Sequence, residues 1–295
     1  MSYRVTLICT VGTSLKGNLQ KMADQDVDVA LAEHNFQALA ARLLQLDPDD
    51  RICGAEVNSN HDIHRQGFLD EPHRLVLLVS DTANGMLVGQ ILKHYYQTGR
   101  TPLRFKEVEL KTLEGLTDQD SKRFQKDGLR NLVRAIAAEA RRRSAEHLII
   151  NATGGYKAQI SFAGMIGQTL DIPVCYLFEN FDTVISLPPQ PISLDLSFWM
   201  KNAFLFYELE DCQITVNPAD QEPMFETLVD TIEVDGVTLL GLSSMGQLFH
   251  ETFCYRFSLQ KETMVPPASG LNLEEKTIRY EKGIGLRPRL GSSNG

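Results

Sequence analysis

From the N-terminus to about residue 190, short apolar runs rich in β-branched residues alternate with longer amphipathic segments. That alternation predicts an α/β fold, a Rossmann-like parallel sheet flanked by helices. Strands are expected at Val5 to Cys9, Ile52 to Val57, Leu75 to Ser80, Glu107 to Leu110, Leu148 to Asn151 and Val174 to Phe178. A last short strand, Thr183 to Leu187, comes after the turn ENFD. Helices are expected around Val29 to Leu46, Asn84 to Tyr96, Asp120 to Arg143 and Gln159 to Leu170.

The proline-rich run LPPQPISLD, Leu187 to Asp195, breaks the periodicity and is read as a domain boundary. The expected division is residues 1–190, then a small unit at 195–260, then a weakly patterned tail at 261–295. The small unit reads as a helix near Phe198 to Tyr207, a further helix, a hairpin closing at Val234-Asp235-Gly236-Val237, and a helix capped by Ser243 or Ser244. That order is winged-helix-like.

The chain has 295 residues, enough for one large and one small domain, and its 43% hydrophobic and 23% charged residues are those of a soluble globular protein. No apolar stretch reaches the length of a membrane span and MSYRVTLICTVG lacks the order of a signal peptide, so a cytoplasmic location is expected. Cys9, Cys53, Cys175, Cys212 and Cys254 show no C-x-x-C spacing, and reduced thiols are expected rather than disulfides or a zinc site. The net charge of -9 argues against a surface built to coat nucleic acid.

In a parallel sheet the ligand crevice lies beyond the carboxyl ends of the strands, near the point where strand order reverses. Three loops leaving strands at that edge stand out: CTVGTSLKGN (Cys9 to Asn18), SDTANG (Ser80 to Gly85) and NATGGYK (Asn151 to Lys157). In the third, Thr153, Gly154 and Gly155 let backbone amides approach a ligand, the helix beginning near Tyr156 turns its positive end to the crevice, and Lys157 adds a charge. This is an anion site, with phosphate as the expected group. The first loop offers Thr10, Gly12, Thr13, Ser14 and Asn18 to phosphate or ribose. The second offers Asp81, Thr82 and Asn84, residue types that equally cap helices. Gly12 and Gly17 have P-loop spacing, but Asn18 replaces the required lysine, and no G-x-G-x-x-G comes after the first strand. No cofactor and no metal are expected; His61 and His64 in HDIH read as a solvated loop.

A strand running into VGTSL, a later SDT at a strand end, LEGLTDQDSKRFQKDGLRNLVRAI, and NATGGYKAQISFAGMIGQTLDIPVCYLFE, in that order, resemble the CARF domain of CRISPR-associated proteins over roughly residues 3 to 190. The resemblance implies a homodimer with a Rossmann-like core that binds cyclic oligoadenylate, the second messenger of type III CRISPR systems, across its two-fold axis. Cyclic tetra-adenylate is favoured, with the hexa-adenylate as the other ring. In related ring nucleases the hydroxyl of the GTS loop and the lysine of the GGYK turn serve cleavage. The resemblance carries those roles to Ser14 and Lys157.

Two other readings concern the segment beyond residue 190. A ligand-controlled DNA-binding regulator would use the winged-helix-like unit, yet residues 201 to 250 hold one basic residue, Lys201, against nine acids, which DNA would repel. A ribonuclease effector would need a catalytic domain. Arg142 and His147 match the HEPN spacing but lie where a helix enters a core strand, and the basic end of EEKTIRYEKGIGLRPRL suggests at most the start of a RelE-like domain.

Overall fold

The computed structural model describes residues 3–98, 100–190, 194–210, 225–234 and 237–264. Strand β1 is Thr6–Thr10, followed by helices α1 (Ser14–Gln20), α2 (Gln25–Ala32), α3 (Phe36–Leu43) and α4 (Ala55–Arg65). Then come β2 (Arg74–Ser80), α5 (Ala83–Gln97), β3 (Glu107–Leu113), the short α6 (Ser121–Arg123) and α7 (Leu129–Arg143). Strand β4 (Leu148–Asn151), α8 (Lys157–Thr169), β5 (Val174–Tyr176) and β6 (Ile185–Leu187) complete the sheet unit. The remaining elements are α9 (Leu196–Glu210), α10 (Phe225–Leu228), β7 (Val229–Val234), β8 (Val237–Leu242) and α11 (Ser244–Met264).

The six strands lie in the order β3-β2-β1-β4-β5-β6, parallel except for β6, which pairs antiparallel with β5. Strands β1 and β2 are buried along their whole length, which is why they read as unbroken apolar runs. Alternate residues serve opposite layers. Leu7, Cys9, Leu75 and Leu77 join the core under α1 to α5, while Ile8, Val76, Leu148 and Ile150 join the one under α7 and α8. This is the Rossmann-like α/β fold expected from the alternation.

Three expectations need correction. Ile52 to Val57 is not a strand: a 3-10 turn, Arg51–Cys53, is capped by Asp50, whose Oδ1 accepts from Ile52 N at 2.9 Å, and α4 begins after Gly54 at φ +86°. The single helix expected over Val29 to Leu46 is broken in two where His34 takes φ +54° and Asn35 accepts from Ala38 N at 3.1 Å. HDIH lies on α4 rather than in a solvated loop. His61 stacks near Tyr96 and lies 3.3 Å from both the Tyr95 and Thr101 hydroxyls, while His64 Nδ1 is 3.0 Å from Leu69 O. The helix expected from Asp120 to Arg143 is present with a π-helical turn, Phe124–Gly128, inside it.

The helix, hairpin, helix order expected after residue 195 is observed, with Val234 paired to Val237 and Ser243 Oγ accepting from Gly246 N at 3.0 Å. Helix α11 has two apolar faces. Phe249 and Phe253 meet Phe198, Trp199 and Phe206 of α9, whereas Leu248 and Tyr255 join the core beneath α7. Tyr255 Oη accepts from Ala145 N at 2.8 Å, and Arg141 pairs with the buried Glu251. Cys212 and the basic tail lie outside the described residues. Among those residues Cys9, Cys53, Cys175 and Cys254 are free thiols, and no helix is long and apolar enough to cross a membrane.

Candidate functional site

Strand order reverses at β1, which has β2 on one side and β4 on the other. The loop after β1 and the turn after β4 therefore leave the sheet side by side, where α/β sheets open a ligand crevice. The structure locks these two segments together. Thr10 Oγ1 donates to Gly154 O at 2.5 Å and lies 3.3 Å from Asn151 O. The Asn151 amide donates to Ser59 Oγ at 2.7 Å and Asn60 Oδ1 at 2.6 Å, while its Oδ1 accepts from Thr153 N and Oγ1. Thr153 Oγ1 in turn accepts from Leu177 N at 3.0 Å. With these polar groups satisfied, the turn is held in one geometry.

Beneath both loops lies Glu56 of α4, 1% exposed. Its Oε1 accepts from Gly12 N at 2.6 Å, and its Oε2 has no partner among the described residues. Burial pushes its carboxyl above the usual range, against the lowering effect of the Gly12 amide. The glycines serve this contact. A methyl group on Gly154 would overlap Glu56 Oε1 and come within 2.8 Å of Gly12 N, and one on Gly12 would come within 2.9 Å of Gly155 N. Gly155, at φ +106°, faces Gln159, whose Oε1 accepts from Tyr156 N at 3.2 Å.

The expected site residues fall into two groups. Thr13 and Ser14 are exposed at the start of α1, and Thr13 makes no side-chain cap to that helix. Lys157 is exposed at the first position of α8, the end at which helix amides lack intrahelical partners and carry the positive end of the dipole. Asn84 is exposed and accepts from Lys16 Nζ at 2.8 Å, which ties the loop after β2 to the loop after β1. These groups are available to a ligand.

Others are committed to the fold. Thr10 and Gly154 are buried and shape the turn instead of facing the crevice. Thr82 caps α5 by accepting from Gly85 N at 3.0 Å, and Asn18 donates to Arg51 O at 2.9 Å. Asp81 turns toward the β3–α6 loop, accepting from Gly115 N at 3.3 Å and pairing with Arg123 at 3.2 Å. The Tyr156 ring packs edge-on against Phe124, and burial pushes its phenol up. Sequence reasoning missed Glu56, Lys16 and Arg123; of these, only Lys16 stands inside a loop the motif pattern picks out.

No group of three or more side chains able to hold a metal is present among the described residues. Arg142 and His147 have separate partners: Arg142 pairs with Glu139 at 3.3 Å, and His147 Nδ1 lies 2.8 Å from Tyr3 O.

Residues 51–190 match the family model of a CRISPR-associated protein, Cas_APE2256. This segment, a little under half of the chain, is similar to that CRISPR-associated family. The resemblance carried by ATGGYK is thereby borne out, and the matched span contains β2 to β6, the SDTANG loop and the Glu56 carboxyl; the loop holding Ser14 precedes it. Among solved structures the chain is similar to Can2 from Sulfobacillus thermosulfidooxidans, whose structure is in complex with cyclic tetra-adenylate. The identity is 11% and the TM-score 0.31, over 88% of this chain and 68% of that one, a likeness too distant to transfer a ligand. No curated protein matches the chain.

Proposed function

We propose that the chain binds a cyclic oligoadenylate in the crevice over β1 and β4, as a sensor in type III CRISPR defence. The observation that carries this reading is the exposed Lys157 at the N-terminus of α8 and the exposed Thr13 and Ser14 at the start of α1, on two loops that approach closely at Gly12 and Gly155 where strand order reverses. Amides at the first turn of α8 and the Lys157 ammonium suit a phosphate, and Thr13, Ser14 and Asn84 suit ribose or phosphate oxygens. A cyclic ligand repeats these groups around its ring, so two copies of the chain meeting at a two-fold axis would present the same site twice. Cyclic tetra-adenylate is the first ring to test and the hexa-adenylate the second.

Cleavage belongs to the same reading. A ribose 2'-hydroxyl would attack its adjacent phosphorus, displacing the 5'-oxygen and leaving a 2',3'-cyclic phosphate, while Lys157, Ser14 and the α8 amides stabilise the charge that builds on the phosphoryl oxygens. No titratable base stands among these groups, so turnover would be slow. We assign sensing to residues 1–190 and coupling or dimerisation to 195–260, whose acidic residues disfavour a DNA contact.

Calorimetry with cyclic tri-, tetra- and hexa-adenylate tests the reading, and failure of all three to bind at micromolar protein refutes it. Lys157→Ala should remove a charge-assisted contact of about 1.5 to 3 kcal/mol, a loss of roughly tenfold to hundredfold in affinity, with the fold intact. Equal affinity in the variant would show that Lys157 is merely solvated.

A further inference from the structure

We infer that Glu56 is a positioning residue that holds the two crevice loops in place as a neutral acid, so that anion binding over these loops is linked to its protonation. This rests on reading the crevice as an anion site. Three glycine backbones enclose the carboxyl: added methyl groups at Gly12 and Gly54 would lie 3.3 and 3.6 Å from its oxygens, and one at Gly154 would overlap it. Gly12 N donates to Oε1, which accepts equally well in the neutral acid, and Oε2 meets no donor and no cation among the described residues. A buried carboxylate opposed only by the Gly12 amide and its own backbone amide, with no cation beside it, is costly, and the neutral form is the smaller cost.

The groups around Glu56 leave it as the one that titrates. Cys9 of β1 and Tyr96 of α5 interact with it electrostatically, and burial pushes both well up, so thiol and phenol stay neutral. Asn60 of α4 and Gln159 of α8 carry no charge, and the ammonium of Lys157 points outward on the exposed side of the turn. An anion seated on the α8 amides would add negative charge above the carboxyl. The ionised form would oppose it, and the neutral form would not.

Because burial raises its folded-state value, Glu56 supports the fold below the unfolded carboxyl range, and that support is lost as pH rises through the raised value. Ligand affinity should fall over the same interval, by up to about tenfold per pH unit for one linked proton.

The experiment measures affinity for cyclic tetra-adenylate between about pH 5 and pH 8, and in parallel the urea midpoint of the free protein, for wild type and Glu56→Gln. A wild-type affinity that falls with rising pH beside a flat Glu56→Gln profile supports the inference; parallel profiles overturn it. If wild type binds no ligand at any pH, the reading of the crevice fails. The midpoints still decide Glu56: loss of stability with rising pH in wild type alone supports a neutral strut, and equal pH dependence overturns it. Glu56→Met, which fills the same cage without titrating, replaces Glu56→Gln in both arms should the amide variant fail to fold.

Discussion

Replacing Gly154 with alanine tests how tightly the crevice is built. The new methyl group would overlap Glu56 Oε1 and come within 2.8 Å of Gly12 N, and both are hemmed in: the carboxyl by three glycine backbones, the amide by its own hydrogen bond to Glu56. Overpacking of this kind costs about 1–3 kcal/mol. At roughly 2–4 °C per kcal/mol for a domain of this size, Gly154→Ala should melt several degrees below wild type. The strain is local, so Glu56→Ala should relieve part of it: the double variant should be more stable than the sum of the single losses by about 1 kcal/mol, although the Gly12 amide still limits the fit. Gly164→Ala is the control, since a methyl group there meets nothing within 4 Å. It should be neutral or stabilise α8 by up to about 1 kcal/mol. Thermal and urea denaturation of the four variants decide the matter. A Gly154→Ala protein as stable as wild type, or strictly additive losses in the double variant, would refute the picture of three glycine backbones closed over one carboxyl.

Two further outcomes are expected. Arg74, 1% exposed, binds Glu107, Glu109 and the buried Glu139 at the opposite end of the sheet, so Arg74→Ala should destabilise the chain by about 3–5 kcal/mol in urea unfolding. A loss below about 1 kcal/mol would mean that the carboxylates find other partners. Burial holds His61 down at about 4, against the raising effect of Asp49. The unfolded chain therefore takes up a proton that the fold refuses as pH drops from about 6.5 toward 4, and stability is full above that window and lost within it. The drop in urea midpoint between about pH 7 and pH 5 should be smaller in His61→Gln than in wild type, and equal drops would assign the effect to other groups.

The sheet was legible because its central strands are buried on both faces and so read as apolar runs, as TLICT and RLVLLVS do. Helix α4 was not, for a physical reason: its buried side carries Glu56, Ser59, Asn60 and Asp62 beside Val57 and Ile63, so the apolar period that marks a helix is absent. Those polar residues are buried because they brace the crevice and its surroundings. Asn60 and Ser59 accept from the Asn151 amide, and Asp62 Oδ2 accepts from Val184 N at 2.7 Å. The ATGGYK turn was found through its glycines, yet Gly154 makes room for Glu56 rather than for a ligand, a partner that no spacing in the sequence connects to it. Lys16 stands in the GTSLKGN loop without the spacing of a phosphate motif, and only the fold brings it to Asn84.

In a chain of net charge -9, two of the acids at this edge are already engaged, which favours an anion site there. Asp81 is turned away on Gly115 N and Arg123, and Glu56 is enclosed beneath the loops. Lys16 meets the uncharged Asn84 side chain, and Lys157 has no ion pair among the described residues, so neither is paired with a carboxylate there. Around them the donors are backbone amides, which have short reach and fixed direction. Such a site would not attract a polyanion from a distance as a basic patch does; on the proposed reading it would hold a phosphate that fits between its loops. On the proposed reading, selectivity for a small cyclic anion over duplex nucleic acid would arise from the same loop geometry. The buried Thr10, Asn151 and Glu56 fix the shape of the loops on which that proposed site depends.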